Sequence, residues 1–146
     1  MISFTVPGQP QGKGRPIAGL KFAAGGKKIA GLRTPEKTVA YEGLVAHAAH
    51  QAMDGGALID QAVHVFMTIT CQVPASWSKK KQASALLQQI RPTTKPDIDN
   101  VEKAIFDGCN GVVWRDDVCV VAVTKEKRYG ATPGVFVTIA PAEVAA

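Results

Sequence analysis

Five aspartates fall within the twenty-three residues from Lys95 to Asp117, K-P-D-I-D-N-V-E-K-A-I-F-D-G-C-N-G-V-V-W-R-D-D, in a chain with 12 acidic side chains in all. Four of them form two groups, Asp97 with Asp99 and Asp116 with Asp117. What lies between reads as a short helix and a tight turn. A helix followed by a reversal can bring its two flanks back together in space. Four carboxylates converging in a protein of net charge +5 point to a divalent-cation site facing a polyanion.

The chemistry open to such a group is specific. Mg²⁺ takes oxygen ligands in an octahedron, usually a few carboxylates with waters and substrate phosphate in the other positions. A cation so held can activate a water and stabilise the charge on a phosphodiester in transit. A nearby lysine, for which Lys103 is the candidate, adds positive charge at the scissile phosphate. Without a cation, close carboxylates push one another's pKa values upward. Each residue alone has a plainer reading: Asp97 as surface, Asp99 as a helix cap, Asp116 as a turn residue, Lys103 as a solvated helix charge. The grouping carries the cation-site reading. An EF-hand loop does not fit, because Val101 and Glu102 stand where a ligand and a glycine are needed. A nucleotidyltransferase would place its two acids after a Gly-Ser turn, which is absent here.

The positive charge is unevenly spread. Residues 1–40 hold seven cations (Lys13, Arg15, Lys21, Lys27, Lys28, Arg33 and Lys37) against the single acid Glu36. The remaining residues sum to −1, so the first quarter carries the basic character. Lys13, Arg15, Lys21, Lys27, Lys28 and Arg33 are therefore the candidate contacts to a phosphate-rich partner.

Several elements must position these residues. Ile2–Val6 alternates as a half-buried strand, and Gly8–Arg15 is a basic loop rich in turn-formers. Ile17–Phe22 and Lys28–Leu32 flank Ala-Ala-Gly-Gly as an irregular hairpin or mobile arm. Thr34-Pro35-Glu36 predicts a helix start with Thr34 as cap and Pro35 in the first turn. That helix runs to about Met53 with Val39, Leu44, Val45, Ala48 and Ala52 as its apolar stripe, and Asp54-Gly55-Gly56 ends it. From Val63 to Val73 every odd position is apolar, a strand with His64 on its other face. Ser76 or Ser78 caps a helix over 79–90 that opens on three lysines.

In the central stretch Pro96 holds Lys95 extended, so Asp97 and Asp99 point one way and Ile98 the other. Asp99 with Glu102 matches a capping pattern for a helix from Asn100. Asp99, Lys103 and Asp107 then share one face, with Val101, Ala104 and Ile105 on the buried side. Asn110-Gly111 reverses the chain. The unbroken apolar run Val118–Val123 predicts a strand covered on both faces in the middle of the sheet, and Val135, Val137 and Ile139 alternate as the last strand. The fold class is α+β: one mixed sheet with helices packed on it, a single domain over residues 1–146.

Apolar residues make up 46% and charged ones 20%, a globular balance able to build a core. No apolar run is long enough to span a membrane, and no secretory signal opens the chain. Cys71, Cys109 and Cys119 lie among apolar neighbours without C-x-x-C spacing, as buried thiols in a reducing cytoplasm do. His47 and His50 lack the i, i+4 spacing and intervening acid of a two-histidine zinc site.

The motifs K-P-D-I-D-N-x-x-K, D-G-x-N-G and W-x-D-D-x-x-V resemble the signature of the RusA family of Holliday junction resolvases, small metal-dependent endonucleases of bacteria and their phages that serve DNA recombination and repair. The likeness extends upstream to Gly8–Pro16 and to T-P-E-K-T-V-A-Y-E at 34–42, and so covers most of the chain. The resemblance implies a homodimer that cuts four-way DNA junctions by paired nicks, using Mg²⁺, with Mn²⁺ as a substitute. It places the three catalytic, metal-binding aspartates at Asp97, Asp99 and Asp117 and the essential lysine at Lys103. Asp116 stands beside Asp117 as a possible second acid, since the preceding turn varies in length across the family. The products expected are 5′-phosphate and 3′-hydroxyl ends. The alternative from another class is a non-catalytic module that binds branched DNA and uses its acids structurally.

Overall fold

The computed structural model describes residues 1–15, 17–22 and 28–143. In chain order the elements are β1 (Ile2–Pro7), β2 (Ile17–Phe22), β3 (Lys28–Arg33), α1 (Glu36–Met53), β4 (Val63–Gln72), α2 (Lys79–Leu86), α3 (Ile98–Cys109), a 3₁₀ turn at Asp117–Cys119, β5 (Val120–Gly130) and β6 (Gly134–Pro141). Four strands form one mixed sheet in the order β1-β6-β4-β5, while β2 and β3 pair as a separate antiparallel hairpin. Within the main sheet β4 is parallel to β5 and antiparallel to β6, which is antiparallel to β1. This is the α+β architecture expected.

Strict alternation along β4 has a direct consequence. Val63, Val65, Met67, Ile69 and Cys71 all point to one face and are buried. Val135, Val137 and Ile139 of β6 and Phe4 and Val6 of β1 extend that face. Helices α1 and α3 cover it with Tyr41, Val45, Ala49, Val101, Ala104 and Ile105. His64 lies on the opposite face, as expected, with its ring stacked 4.0 Å from that of Phe66.

Four expectations need correction. Helix α1 begins at Glu36, and Pro35, with ψ of 144°, is the cap residue; no side chain caps this end, so Thr34 has no such role. The buried face of α1 is Thr38, Tyr41, Val45 and Ala49, whereas Val39 and Leu44 are exposed. Spacings of three and four residues through the large Tyr41 ring define that stripe, and Ala48 and Ala52 pack at its border. Its end is as expected: Asp54 adopts a left-handed φ of 47° and donates its N–H to the His50 carbonyl.

The third correction concerns the apolar run 118–123. It is not a central strand. Val118 falls in the 3₁₀ turn and is 80% exposed, while strand β5 begins at Val120, lies at the sheet edge against β4 alone, and leaves Val121 63% exposed. The register slips between Val63 and His64, so Val121 is the extra residue of a bulge. Helix α2 is also shorter than expected. Ser78 accepts the Lys81 N–H as its cap, and the helix ends before Gln88, whose φ is 63°.

Helix α1 packs tightly over α3 at Gly108. A Cβ there would lie 2.7 Å from Val45 Cβ and 3.0 Å from the Glu42 carbonyl oxygen, neither of which can swing aside. Gly108→Ala should therefore destabilise the fold by about 1–3 kcal/mol through overpacking, despite the better helix propensity of alanine. A urea-unfolding midpoint equal to or above that of the unmodified chain would contradict this packing.

Candidate active site

Helix α3 starts at Ile98, two residues earlier than the sequence pattern predicts. Asp97 is the cap residue and Asp99 lies in the first turn. The reason is local competition: D-x-D offers two possible caps, and the chain becomes helical directly after the first. The Asp97 side chain makes no capping bond. Its Oδ2 is 3.4 Å from Asn100 Nδ2, a long contact that leaves the carboxylate largely free. Asp97 and Asp99 are thus not two positions of an extended segment aimed at one point. Asp99 Oδ1 accepts a bond of 3.0 Å from Lys125 Nζ, and the Asp99 side chain is otherwise 91% exposed.

Strand β5 supplies two cations that sequence reasoning missed. Lys125 Nζ lies 3.0 Å from Asp99 and 3.3 Å from Glu102 Oε1. Partial burial pulls the Lys125 ammonium pKa down, but its bonds to Asp99 and Glu102 outweigh this and leave it above the ordinary value. Lys127 Nζ donates to the carbonyls of Thr94 at 2.8 Å and Pro96 at 3.0 Å, just ahead of Asp97. The available signal was period two: Lys125 and Lys127 share a strand face, two residues apart. Lys103 sits one turn beyond Asp99, is exposed, and forms no ion pair among the described residues.

On another side of α3, the Gly8–Arg15 loop is laid down rather than free. Lys13 donates its backbone N–H to the Asn100 carbonyl at 3.0 Å, and the Gly14 N–H donates to Thr38 Oγ1 at 2.9 Å. A Cβ at Gly12 would come within 2.8 Å of Asn100 Cβ, so this close approach requires glycine. The Lys13 ammonium bonds to Asp107 and lies 3.6 Å from Glu42 Oε1. The hydrogen bond to Asp107 raises its pKa, with burial opposing. Lys13, Arg15 and Lys95 line a groove of about 480 Å³ together with Asp97 and Asn100. Lys21, Lys28 and Arg33 lie on β2 and β3, where only the backbone is described, and Lys27 lies outside the described residues.

The second acid group is held by a buried corner. Trp114 is fully buried, its indole N–H donates to Asn110 Oδ1 at 2.8 Å, and its ring meets Phe106 edge-on at 5.7 Å. Gly111, with φ of 80°, donates its N–H to the Trp114 carbonyl at 2.7 Å and closes the turn. Beyond this corner Asp116 and Asp117 emerge side by side. Burial pushes the Asp117 carboxyl above its ordinary pKa, helped by its hydrogen bond with Asp116 and the negative charges of Asp116 and Asp107.

The two acid groups do not meet within one chain. Asp97 and Asp107 are ten residues apart along α3, which at about 1.5 Å per residue is roughly 15 Å, and Asp117 belongs to the Asp107 end. Among the described residues no three His, Cys, Asp or Glu side chains stand close enough to hold an ion. The donor chemistry still suits Mg²⁺, being all carboxylate oxygen, and one or two carboxylates suffice where a phosphate completes the shell. Asp97, which lines the basic groove, and Asp99, two residues further on and bonded to Lys125, are the residues that could hold it.

A mixed sheet covered on one face by helices, with carboxylates bordering a cationic groove, is the frame of a small α+β protein that handles a polyanion. The chain matches the family Endodeoxyribonuclease RusA over residues 7–140. It is also 35% identical over 140 residues to a Bacillus subtilis (strain 168) protein named "Uncharacterized protein YqaN", covering 94% of each chain. The protein belongs to the RusA family, the Holliday junction endonucleases, as its sequence motifs imply. Among the described residues no helix is long and apolar enough to cross a membrane.

The raised pKa of Asp117 makes a pH-dependent prediction. A carboxyl whose pKa is higher in the folded than in the unfolded chain stabilises the fold below its ordinary value of 3.8, and this contribution is lost as pH rises through the folded value. In metal-free buffer Asp117→Asn should therefore raise the urea midpoint at pH 7 and leave it little changed at pH 3. A lower midpoint at pH 7 would show that the ionised carboxylate is favourably held.

Proposed function

We infer that the chain, acting as one domain over residues 1–146, is a Mg²⁺-dependent endodeoxyribonuclease that resolves four-way and related branched DNA junctions by paired nicks. The observation that carries this is the groove that Asp97 lines together with Lys13, Arg15 and Lys95. Asp97 and Asp99 would hold the cation, for which Mn²⁺ could substitute. When bound, it would activate water and offset charge on the phosphate. Arg15 and Lys95 bind the DNA backbone, joined by Lys21, Lys27, Lys28 and Arg33 from the basic first quarter. Lys103, with no ion pair among the described residues, offers its charge to the scissile phosphate. In the hydrolysis the water oxygen bonds to phosphorus and the bond to the 3′ oxygen breaks. That oxygen leaves as a hydroxyl, and the phosphate stays on the 5′ end. Such a protein works in the cytoplasm, beside DNA.

A homodimer fits this reading on three grounds. Two opposed nicks in a two-fold junction are most simply made by a two-fold protein. The sheet face that the helices leave uncovered carries the exposed Phe66, Phe136 and Val121, an apolar surface suited to a second copy. Because the acid groups lie at opposite ends of α3, two subunits are also the simplest way for Asp117 to reach an Asp97–Asp99 pair.

Cleavage of a synthetic four-way junction tests the activity. Asp97→Asn, Asp99→Asn and Asp117→Asn should each abolish nicking in Mg²⁺ while junction retardation in gels persists. Lys103→Ala should lower the rate by about 10²–10³-fold with little change in affinity, the size of one lost electrostatic donor. Retardation without nicks from the unmodified chain would make the protein a binding module instead. Near-normal cutting by all three aspartate variants would refute the assignment of the acids.

The dimer has its own test. Phe66→Glu places a charge on the uncovered sheet face and should shift the chain to monomer in sedimentation equilibrium with its circular dichroism unchanged. A chain already monomeric, or a variant that still sediments as dimer, would rule out this face as the interface.

A further inference from the structure

The lysines of β5 have no part in the activity as described so far, yet both end on the segment that carries Asp97 and Asp99. Their bonds differ in kind. Lys127 reaches two main-chain carbonyls, Thr94 and Pro96, in the last three residues before Asp97. These are charge-assisted bonds to neutral acceptors, which tie the loop to the sheet without taking up a carboxylate. Lys125 instead occupies carboxylate oxygens, those of Asp99 and Glu102. Glu102 has its own side chain mostly covered, whereas Asp99 is open to solvent apart from this bond.

The geometry points to a division of labour between them. Lys127 is a positioning residue that fixes the main chain ahead of Asp97, and Lys125 is a resident counter-charge that holds Asp99 and yields it when a divalent cation arrives. The inference rests on the reading of Asp97 and Asp99 as cation ligands. Its basis is that β5 offers one cation to the backbone and the next, two residues away, to the acids themselves. Removing Lys127 loosens the ligand loop and weakens cation binding. Removing Lys125 frees Asp99 and takes away a competing positive charge, so cation binding tightens. A general loss of packing would weaken binding in both cases, so the opposite signs identify the two roles.

The experiment uses the full chain with Mn²⁺ alone, titrated calorimetrically without DNA, together with amide hydrogen exchange. The unmodified chain should bind Mn²⁺, and Asp97→Asn and Asp99→Asn should lose that binding. Lys127→Met should weaken it by about 10- to 100-fold, the usual cost of losing a group that orients metal ligands, and Lys127→Arg should restore most of it. Exchange over residues 93–98 should accelerate in Lys127→Met and not in Lys125→Met. Lys125→Met should bind about two- to fivefold tighter, the scale of one part-exposed ion pair. If Lys127→Met does not fold, Lys127→Gln, which keeps a single donor group, should show a smaller loss in the same direction. Unchanged binding and exchange in the Lys127 variants, or weaker binding in Lys125→Met, overturns this inference while the aspartate variants still uphold the cation site. Mn²⁺ binding that survives both aspartate changes overturns the site itself, and the inference with it.

Discussion

The burial of one face of α3 is the constraint on which the site depends. Val101, Ala104, Ile105 and Cys109 are packed out of solvent against the sheet and α1, and Gly108 lets α1 come close enough to seal them. Fixing that face fixes the rotation of the whole helix, because side-chain directions follow the 100° step of the backbone. Every polar residue of α3 is then aimed by default. Asp99 and Glu102 turn toward β5, Asn100 and Asp107 toward the Gly8–Arg15 loop, and Lys103 toward solvent. The chemistry occupies the perimeter of a helix whose orientation is set by apolar burial.

That perimeter is electrically matched almost residue for residue. Lys13 answers Asp107 and Glu42, and Lys125 answers Asp99 and Glu102. Pairs of this exposure add little to stability, of order 0–1 kcal/mol each. Their larger effect is to decide which charges remain available. Asp97 is left with one long contact, and Lys103 with no ion pair among the described residues. Asp116 and Asp117 have no paired cation among the described residues, and burial, with the hydrogen bond to Asp116 and the neighbouring negative charges, raises the Asp117 pKa. The groups left over are those the proposed chemistry needs: free carboxylates, and a cation to meet a phosphate.

What the sequence made legible follows from how local each cause is. The strand β4 could be read because its alternation is a local pattern that the sheet simply obeys. The two acid groups and the Asn110-Gly111 reversal were equally local. The apolar run of β5 misled, since it looks the same whether both faces are covered or one is left open, as at Val121. The buried stripe of α1 was misplaced because an alanine-rich helix has apolar residues on several faces, and only the partner surface selects Tyr41 over Leu44. The start of α3 was two residues off because Asp97 and Asp99 are both competent caps. Lys127, which holds the loop ahead of Asp97, lies 31 residues away from Pro96 and leaves no trace in the local pattern. The same holds for Lys13, read as a contact to phosphate, whose partner Asp107 is 94 residues distant.

The engagement of Lys13 changes where the groove's free charge lies. An ammonium bonded to Asp107 and drawn toward Glu42 contributes less to a passing phosphate than Arg15 or Lys95, which line the same groove. What Lys13 does is hold the loop against α3, so that Gly12 rests on Asn100 and the Arg15 backbone is carried to the groove. An exposed cation on a loop so held suits the proposed backbone recognition, since phosphate contacts set position rather than read sequence. The length of α3 keeps the acid groups apart. Bringing Asp117 to Asp97 within one chain would mean unwinding a helix whose buried face seals the core. In the proposed dimer, cooperation between the two groups would run between copies of the chain, each keeping its own α3 intact.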